Sequence, residues 1–216
     1  MRRTATTSNA ILGLLALRPR WSTWELATQL GRNMRFFWPR AESRIYDEAR
    51  ALDQKGLARA TRTMHGRRQR TTYAITARGR RQLRTWMATP PRATTLECEP
   101  ILRVLLADLG TADELLTAIA QVRADGEAVL AVGRVVGAEY LAGTAPFQDD
   151  VHARALVLDF LSHHAIALIE WADRAEQAVA GWTDATDSER AAAAVETVRR
   201  CLAAYPAPPR AEATGP

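Results

Sequence analysis

Residues 57–75 read LARATRTMHGRRQRTTYAI. Leu57 to Arg62 alternates apolar or small side chains with polar ones, the period of an exposed strand. His65-Gly66-Arg67 supplies a turn, and Thr71-Thr72-Tyr73-Ala74-Ile75 returns as the partner strand. Arg67, Arg68 and Arg70 crowd the tip of this hairpin. Like charges gathered at a tip repel one another unless something anionic lies against them.

The flanks turn the hairpin into a fold. Upstream, Pro39 to Lys55 has helical spacing: Ala41, Ile45, Ala49 and Leu52 fall on one side. Arg40, Ser43, Asp47 and Arg50 fall on the other, with Arg44 and Tyr46 flanking them, and Gly56 is a C-terminal stop. Further upstream, SNAILGLLAL (8–17) has the apolar density of a buried helix, closed by Arg18-Pro19. Ser22-Thr23-Trp24-Glu25 is a capping box that opens a helix through Leu30, with Gly31 as its stop. Downstream, Thr76 caps a helix from Ala77 to Met87. Helix, helix, helix, hairpin, helix is the plan of a winged helix-turn-helix with a two-stranded wing.

Charge names the anion. Residues 1–93 carry 19 Arg and Lys55 against Glu25, Glu42, Asp47, Glu48 and Asp53, a net of +15. Residues 94–216 carry 9 Arg against 19 Asp and Glu, a net of −10. A generally Arg-rich composition would not sort the acids into one half. The basic half suits a polyanion, and double-stranded DNA fits a wing beside a third helix. DNA contacts are therefore expected from Arg40, Ser43, Arg44, Tyr46 and Arg50 on the helix and from Arg67, Arg68 and Arg70 on the wing. Ser43 and Tyr46 are expected on phosphate rather than on bases.

Beyond Thr89-Pro90-Pro91-Arg92, a helix-breaking joint, the chain reads helical throughout. Glu99-Pro100 opens a short helix to Leu109. Thr111-Ala112-Asp113-Glu114 is a second capping box for a long helix to about Leu141. Its stripe of Leu115, Ile119, Val122, Gly126, Val129, Gly133, Val136 and Tyr140 alternates steps of four and three, a heptad pattern. Such a stripe packs either the chain's own next helix or a second copy. Two-fold symmetry, the usual route to operator affinity, favours a homodimer on a palindromic site. Gly126 and Gly133 either let two helices approach closely, the favoured reading, or leave room for a ligand. A second long helix is expected from Asp149 to Ala180, and Thr186-Asp187-Ser188-Glu189 caps a last one ending near Tyr205. The fold class is thus mainly α. Residues 1–93 form a winged DNA-binding domain, 94–205 an all-α dimerisation or effector domain, and 206–216 a disordered tail.

Other chemistries find little support. No nucleophile–base set, phosphate loop or HExxH motif is present, so the chain is read as a non-enzyme without cofactor. Cys98 and Cys201 belong to no C-x-x-C pattern, and His152, His163 and His164 lack metal-ligand spacing. Phe160, His164 and Trp171 share a helix face, best read as core or dimer interface; an aromatic effector pocket there is the sharper alternative. No run of apolar residues approaches a membrane span and no signal-type cleavage site follows Leu17, which places the chain in the cytoplasm.

Four motifs resemble the PadR-type transcriptional regulators in their longer form: ILGLLAL (11–17), Trp24-Glu25-Leu26, FWPRAESRIYDEARALDQKGL (37–57) and GRRQRTTYAITARG (66–79). The resemblance is dense over residues 9–88 and architectural beyond residue 94. It implies a homodimeric repressor whose C-terminal helices pair, some members being released by small phenolic ligands. The alternatives are a transcriptional activator or ligand-independent regulator of the same fold, an architectural DNA-binding protein without operator preference, and a protein–protein module whose acidic half docks a partner. Trp24 stands where a Tyr is usual, Ala49 where a larger apolar residue is usual, and Arg44 where an amide is common. An Arg there favours guanine, whereas an amide favours adenine.

Overall fold

The computed structural model of the chain describes residues 3–39, 42–65, 68–182 and 185–206. The chain divides into two compact units, Met1–Leu96 and Glu97–Pro216.

In the first unit, α1 (Arg3–Leu17), β1 (Trp21–Ser22), α2 (Thr23–Met34), α3 (Glu42–Gln54), β2 (Ala58–His65), β3 (Arg68–Ile75) and α4 (Ala77–Ala88) follow one another. The core is built as the spacing requires. Ile11, Leu12, Leu14 and Leu15 of α1 are buried with Leu26 and Leu30 of α2 and with Ile45, Ala49 and Leu52 of α3. Each fully buried aliphatic side chain contributes about 1.5–3 kcal/mol. Gly56 takes a left-handed φ of 67°, which lets the chain leave α3 and enter β2 across only Lys55, Gly56 and Leu57. The Asp53 carboxylate accepts the Ala60 N–H at 2.8 Å and fastens the strand to the helix. Thr76 caps α4, accepting the Gly79 N–H at 3.0 Å while its hydroxyl reaches the Gly56 and Leu57 carbonyls.

Four features differ from the sequence reading. The hairpin strands run further, Ala58–His65 and Arg68–Ile75, so His65 belongs to β2 rather than to the turn. The sheet has three strands in the order β1-β3-β2, because Trp21 pairs with Tyr73 and Ser22 with Thr72. A two-residue strand is too short to show any alternation, so only a hairpin was legible. Gly31 does not stop α2, which continues to Met34. Nothing lies within 4 Å of a Cβ built there, so this glycine is not needed for a turn. The first helix starts at Arg3, a turn earlier than its apolar run suggests.

The second unit holds α5 (Glu99–Leu105), α6 (Ala112–Leu141), α7 (Val151–Ala180) and α8 (Asp187–Ala204). Short 3-10 turns at Ala107–Leu109 and Gln148–Asp150 precede the two long helices. Capping boxes open α6 at Thr111 and α8 at Thr186. α6 and α7 form an antiparallel hairpin turned by Gly143 (φ 70°) and by Phe147, a non-glycine residue at φ 64°. The Arg154 guanidinium stacks on the Phe147 ring at 4.7 Å.

The heptad stripe is resolved by this hairpin. Leu115, Ile119, Val122, Gly126 and Val129 of α6 are buried. Ala165, Ala172 and Val179 are the buried positions of α7. Arg123 crosses between the helices to Asp173 and Glu176. The stripe is therefore filled within the chain from Leu115 to Val129, while Gly133, Val136 and Tyr140 are half-buried, so Val129 is core rather than a seam between copies. Other apolar positions of the second unit remain uncovered instead, and of these only Phe160 was singled out by the sequence. Leu102, Leu105 and Leu109 of the α5 region, Leu156 and Phe160 of α7, and Val195, Val198, Leu202 and Tyr205 on or just after α8 are exposed. None of the described residues of α8 is buried. Gln148–Ala180 is also long and apolar enough to cross a membrane by length and composition. Isolated charges such as Asp159 interrupt its apolar run, so the sequence shows no unbroken span there.

Candidate nucleic-acid interface

α3 presents its polar face as expected. Arg44, Asp47 and Arg50 are exposed, Tyr46 is half-buried, and Ile45, Ala49 and Leu52 face inward. The helix is held from behind. Glu48, on the inward side, is buried and accepts a hydrogen bond from the buried Ser8 hydroxyl of α1. A buried carboxylate costs several kcal/mol unless bonded, so this contact fixes α3 against α1 in one register. Trp38, in the connector before α3, donates its indole N–H to Thr7 of α1 at 3.2 Å. The recognition-type helix is thus tied to α1 at both its entry and its middle.

The wing is tied to α2 through one carboxylate. Glu25 Oε2 accepts the Ser22 N–H at 2.7 Å and the Ser22 hydroxyl at 2.6 Å, closing the capping box. The same oxygen faces the Arg70 guanidinium of β3 at 3.4 Å. The Ser22 side chain is the largest cause holding the Glu25 carboxyl below its ordinary range. Burial opposes it, and the Ser22 backbone, Arg70 and Arg18 add to the lowering. Beside this joint Trp21 is fully buried under the Arg18 guanidinium, 3.6 Å from the ring centroid, while Trp24 is exposed.

The expected DNA-contacting residues fall into three groups. Arg44, Arg50 and Arg70 are exposed on α3 and β3, and Tyr46 lies half-buried beside them on α3. Ser43 and Arg68 lie on α3 and β3 but are described by backbone alone, and Arg40 and Arg67 lie outside the described residues. Two carboxylates belong to this surface: Asp47, which the spacing already placed on the polar face, and Glu25, which went unnoticed. Asp47 pairs with Arg50 one turn along α3, which its i,i+3 spacing could have signalled. Glu25 pairs with Arg70 across 45 residues, which no local pattern could signal.

The three aromatic or imidazole residues singled out as an effector pocket are divided. Phe160 and His164 stack with centroids 6.4 Å apart and planes 5° apart. Both are exposed on α7. Trp171 packs instead on the core of Leu115, Ile119, Ala172 and Val179. Seven residues bring Trp171 round to nearly the same face of an ideal helix, but about 10 Å further along its axis.

The winged helix-turn-helix with an arginine-bearing α3 and wing defines a class of DNA-binding fold. Residues 11–85 match the Transcriptional regulator PadR-like family, so the chain carries a PadR-like domain. Over 70 residues it is 36% identical to the probable transcriptional regulator Rv1176c of Mycobacterium tuberculosis, a match that spans 32% of this chain and 37% of that relative. The fold is also that of the PadR-like transcriptional regulator BC1756 from Bacillus cereus, with a TM-score of 0.67 at 18% identity over 81% of this chain and 98% of that one. Bacillus subtilis PadR in complex with operator DNA matches with a TM-score of 0.63 at 21% identity, over 80% of this chain and 98% of that one. The same Bacillus subtilis protein is known in complex with p-coumaric acid, where the likeness has a TM-score of 0.60 at 19% identity over 83% and 97% of the two chains.

Proposed function

We propose that this chain is a homodimeric, sequence-specific DNA-binding transcriptional regulator that acts as a repressor in the cytoplasm. The observation that carries the reading is the sorting of charge: +15 over residues 1–93, with exposed arginines on α3 and β3 of a PadR-like domain. In this reading α3 enters the major groove, Arg44 reads a base edge, and Arg40, Ser43, Tyr46, Arg50 and the wing arginines Arg67, Arg68 and Arg70 meet phosphates. Residues 94–205 supply association. Two surfaces of +15 repel, so the acidic half must hold the copies together, and its uncovered apolar side chains on α5, α7 and α8 are the source. A small aromatic acid is the class of effector suggested by the p-coumaric acid complex of the Bacillus subtilis relative.

The test is direct. Light scattering should give twice the mass of 23.8 kDa. Selection from a randomised duplex pool should then return an inverted repeat with half-sites about one helical turn apart. A monomer at micromolar concentration, or a pool that yields no shared sequence, would sink the reading.

A further inference from the structure

Acids are scarce in the basic unit, and where they stand is informative. Residues 1–93 hold Glu25, Glu42, Asp47, Glu48 and Asp53. Among the four whose side chains are described, two serve the fold: Glu48 is buried on Ser8, and Asp53 holds the Ala60 N–H. The other two each sit on an exposed arginine of the DNA-facing elements. Asp47 pairs with Arg50 on α3, with side chains 71% and 67% exposed. Glu25 pairs with Arg70 on the wing, with side chains 30% and 57% exposed. Pairs this open to water are weak and can exchange partners.

Resting on the reading of this chain as a DNA-binding regulator, we propose that Glu25 and Asp47 are specificity-determining residues, carboxylates that hold Arg70 and Arg50 back from the phosphates of random DNA. In a loosely held, hydrated complex the phosphates are screened, and a phosphate at a distance does not displace a carboxylate at contact. In a docked complex the phosphates arrive at hydrogen-bond distance with water expelled, and each guanidinium transfers to them. The carboxylates therefore tax the loose complex more than the docked one. A unit of net +15 needs such a device, because a genome offers about 10⁶–10⁹ competing sites and bare charge binds all of them. Specificity here comes from an added repulsion as well as from attraction.

The experiment uses the full chain, a 30-base-pair random duplex as probe, and the site that wild type enriches from a randomised pool. Glu25→Gln keeps the capping box, since a Gln oxygen also accepts the Ser22 N–H, and removes only the charge. Asp47→Asn does the same for Arg50. Each variant should tighten binding to the random duplex by roughly 1.5- to 5-fold, the range of an exposed ion pair. The log K against log salt slope on that duplex should steepen by up to about 0.9 for each arginine released. Affinity for the enriched site should change less, so the specificity ratio falls. Unchanged or weaker binding to the random duplex with an unchanged slope would overturn the proposal while leaving DNA binding intact. Wild type that shows no salt-dependent binding to either duplex would instead overturn the DNA-binding reading itself.

Discussion

Gly126 of α6 lies so close to α7 that a Cβ built on it would stand 2.8 Å from the Ala165 carbonyl oxygen and 2.8 Å from Ile169 Cγ1. The first neighbour is backbone and cannot rotate away. Gly126→Ala should therefore force α6 and α7 apart and cost about 1–3 kcal/mol, the usual range for overpacking. Gly31→Ala is the control. Its Cβ meets nothing within 4 Å, so the gain in helix propensity, roughly 1 kcal/mol, should appear as added stability. Urea denaturation of both variants checks the opposite signs.

Arg44→Ala should weaken binding to the enriched site by about 1–3 kcal/mol and relax preference at one position of each half-site. Binding to a panel of single-base site variants measures this. A loss uniform across the panel would move Arg44 from the bases to the phosphates.

The Ser22–Glu25 capping box sets an acid limit for the winged unit. Glu25 is held below its ordinary value of 4.5, first by the Ser22 hydroxyl, so its ionised form is favoured in the folded chain. A depressed carboxyl stabilises fully above the unfolded value, and that contribution is lost as pH falls through the folded one. Ser22→Ala should cost about 0.5–2 kcal/mol at neutral pH, the range for a lost N-cap. The gap in urea midpoint between variant and wild type should narrow as pH falls below the ordinary value of 4.5, because only the share carried through the ionised Glu25 is lost on protonation. The difference left in acid measures the Glu25 N–H bond to the Ser22 hydroxyl, and a gap that does not narrow at all would show that the ionised Glu25 contributes nothing through Ser22.

The hairpin packing and the association surface should come apart under mutation. Val129 is 8% exposed between α6 and α7, so Val129→Asp should unfold the second unit rather than yield a folded monomer. Val198→Asp with Leu202→Asp changes side chains of α8 that are 57% and 60% exposed within one chain. That variant should keep its fold by near-ultraviolet circular dichroism and halve its mass by light scattering.

How much of this could be read from the residues alone depended on the range of the interaction. Capping boxes at Ser22, Thr111 and Thr186 are four-residue patterns, and all three form. The inward face of α3 is a spacing rule, and it holds at Ile45, Ala49 and Leu52. The heptad stripe of α6 was equally legible as a pattern, but a period cannot say which helix fills it. Here α7 of the same chain does. Trp21–Ser22 pairing with Tyr73 and Thr72, Ser8 bonding Glu48 and Glu25 meeting Arg70 all join residues at least 40 positions apart. No local periodicity carries such contacts, and the Glu25–Arg70 joint is the one on which the wing's electrostatics turn.

The bareness of α8 has a consequence for how the chain completes its folding. An 18-residue helix with no buried residue has little besides its cap and its own propensity to hold it in one chain. Most of a helix's stability in a protein comes from packing one face, which α8 lacks within a single chain. Winding of this segment should therefore be a second-order event, rising with protein concentration, while α6 and α7 stay wound at any dilution. Arg190, Arg199 and Arg200 make the difference measurable. Trypsin should cut at these sites quickly in dilute solution and slowly in concentrated solution, so that the lifetime of the chain's own end becomes a gauge of how many copies surround it.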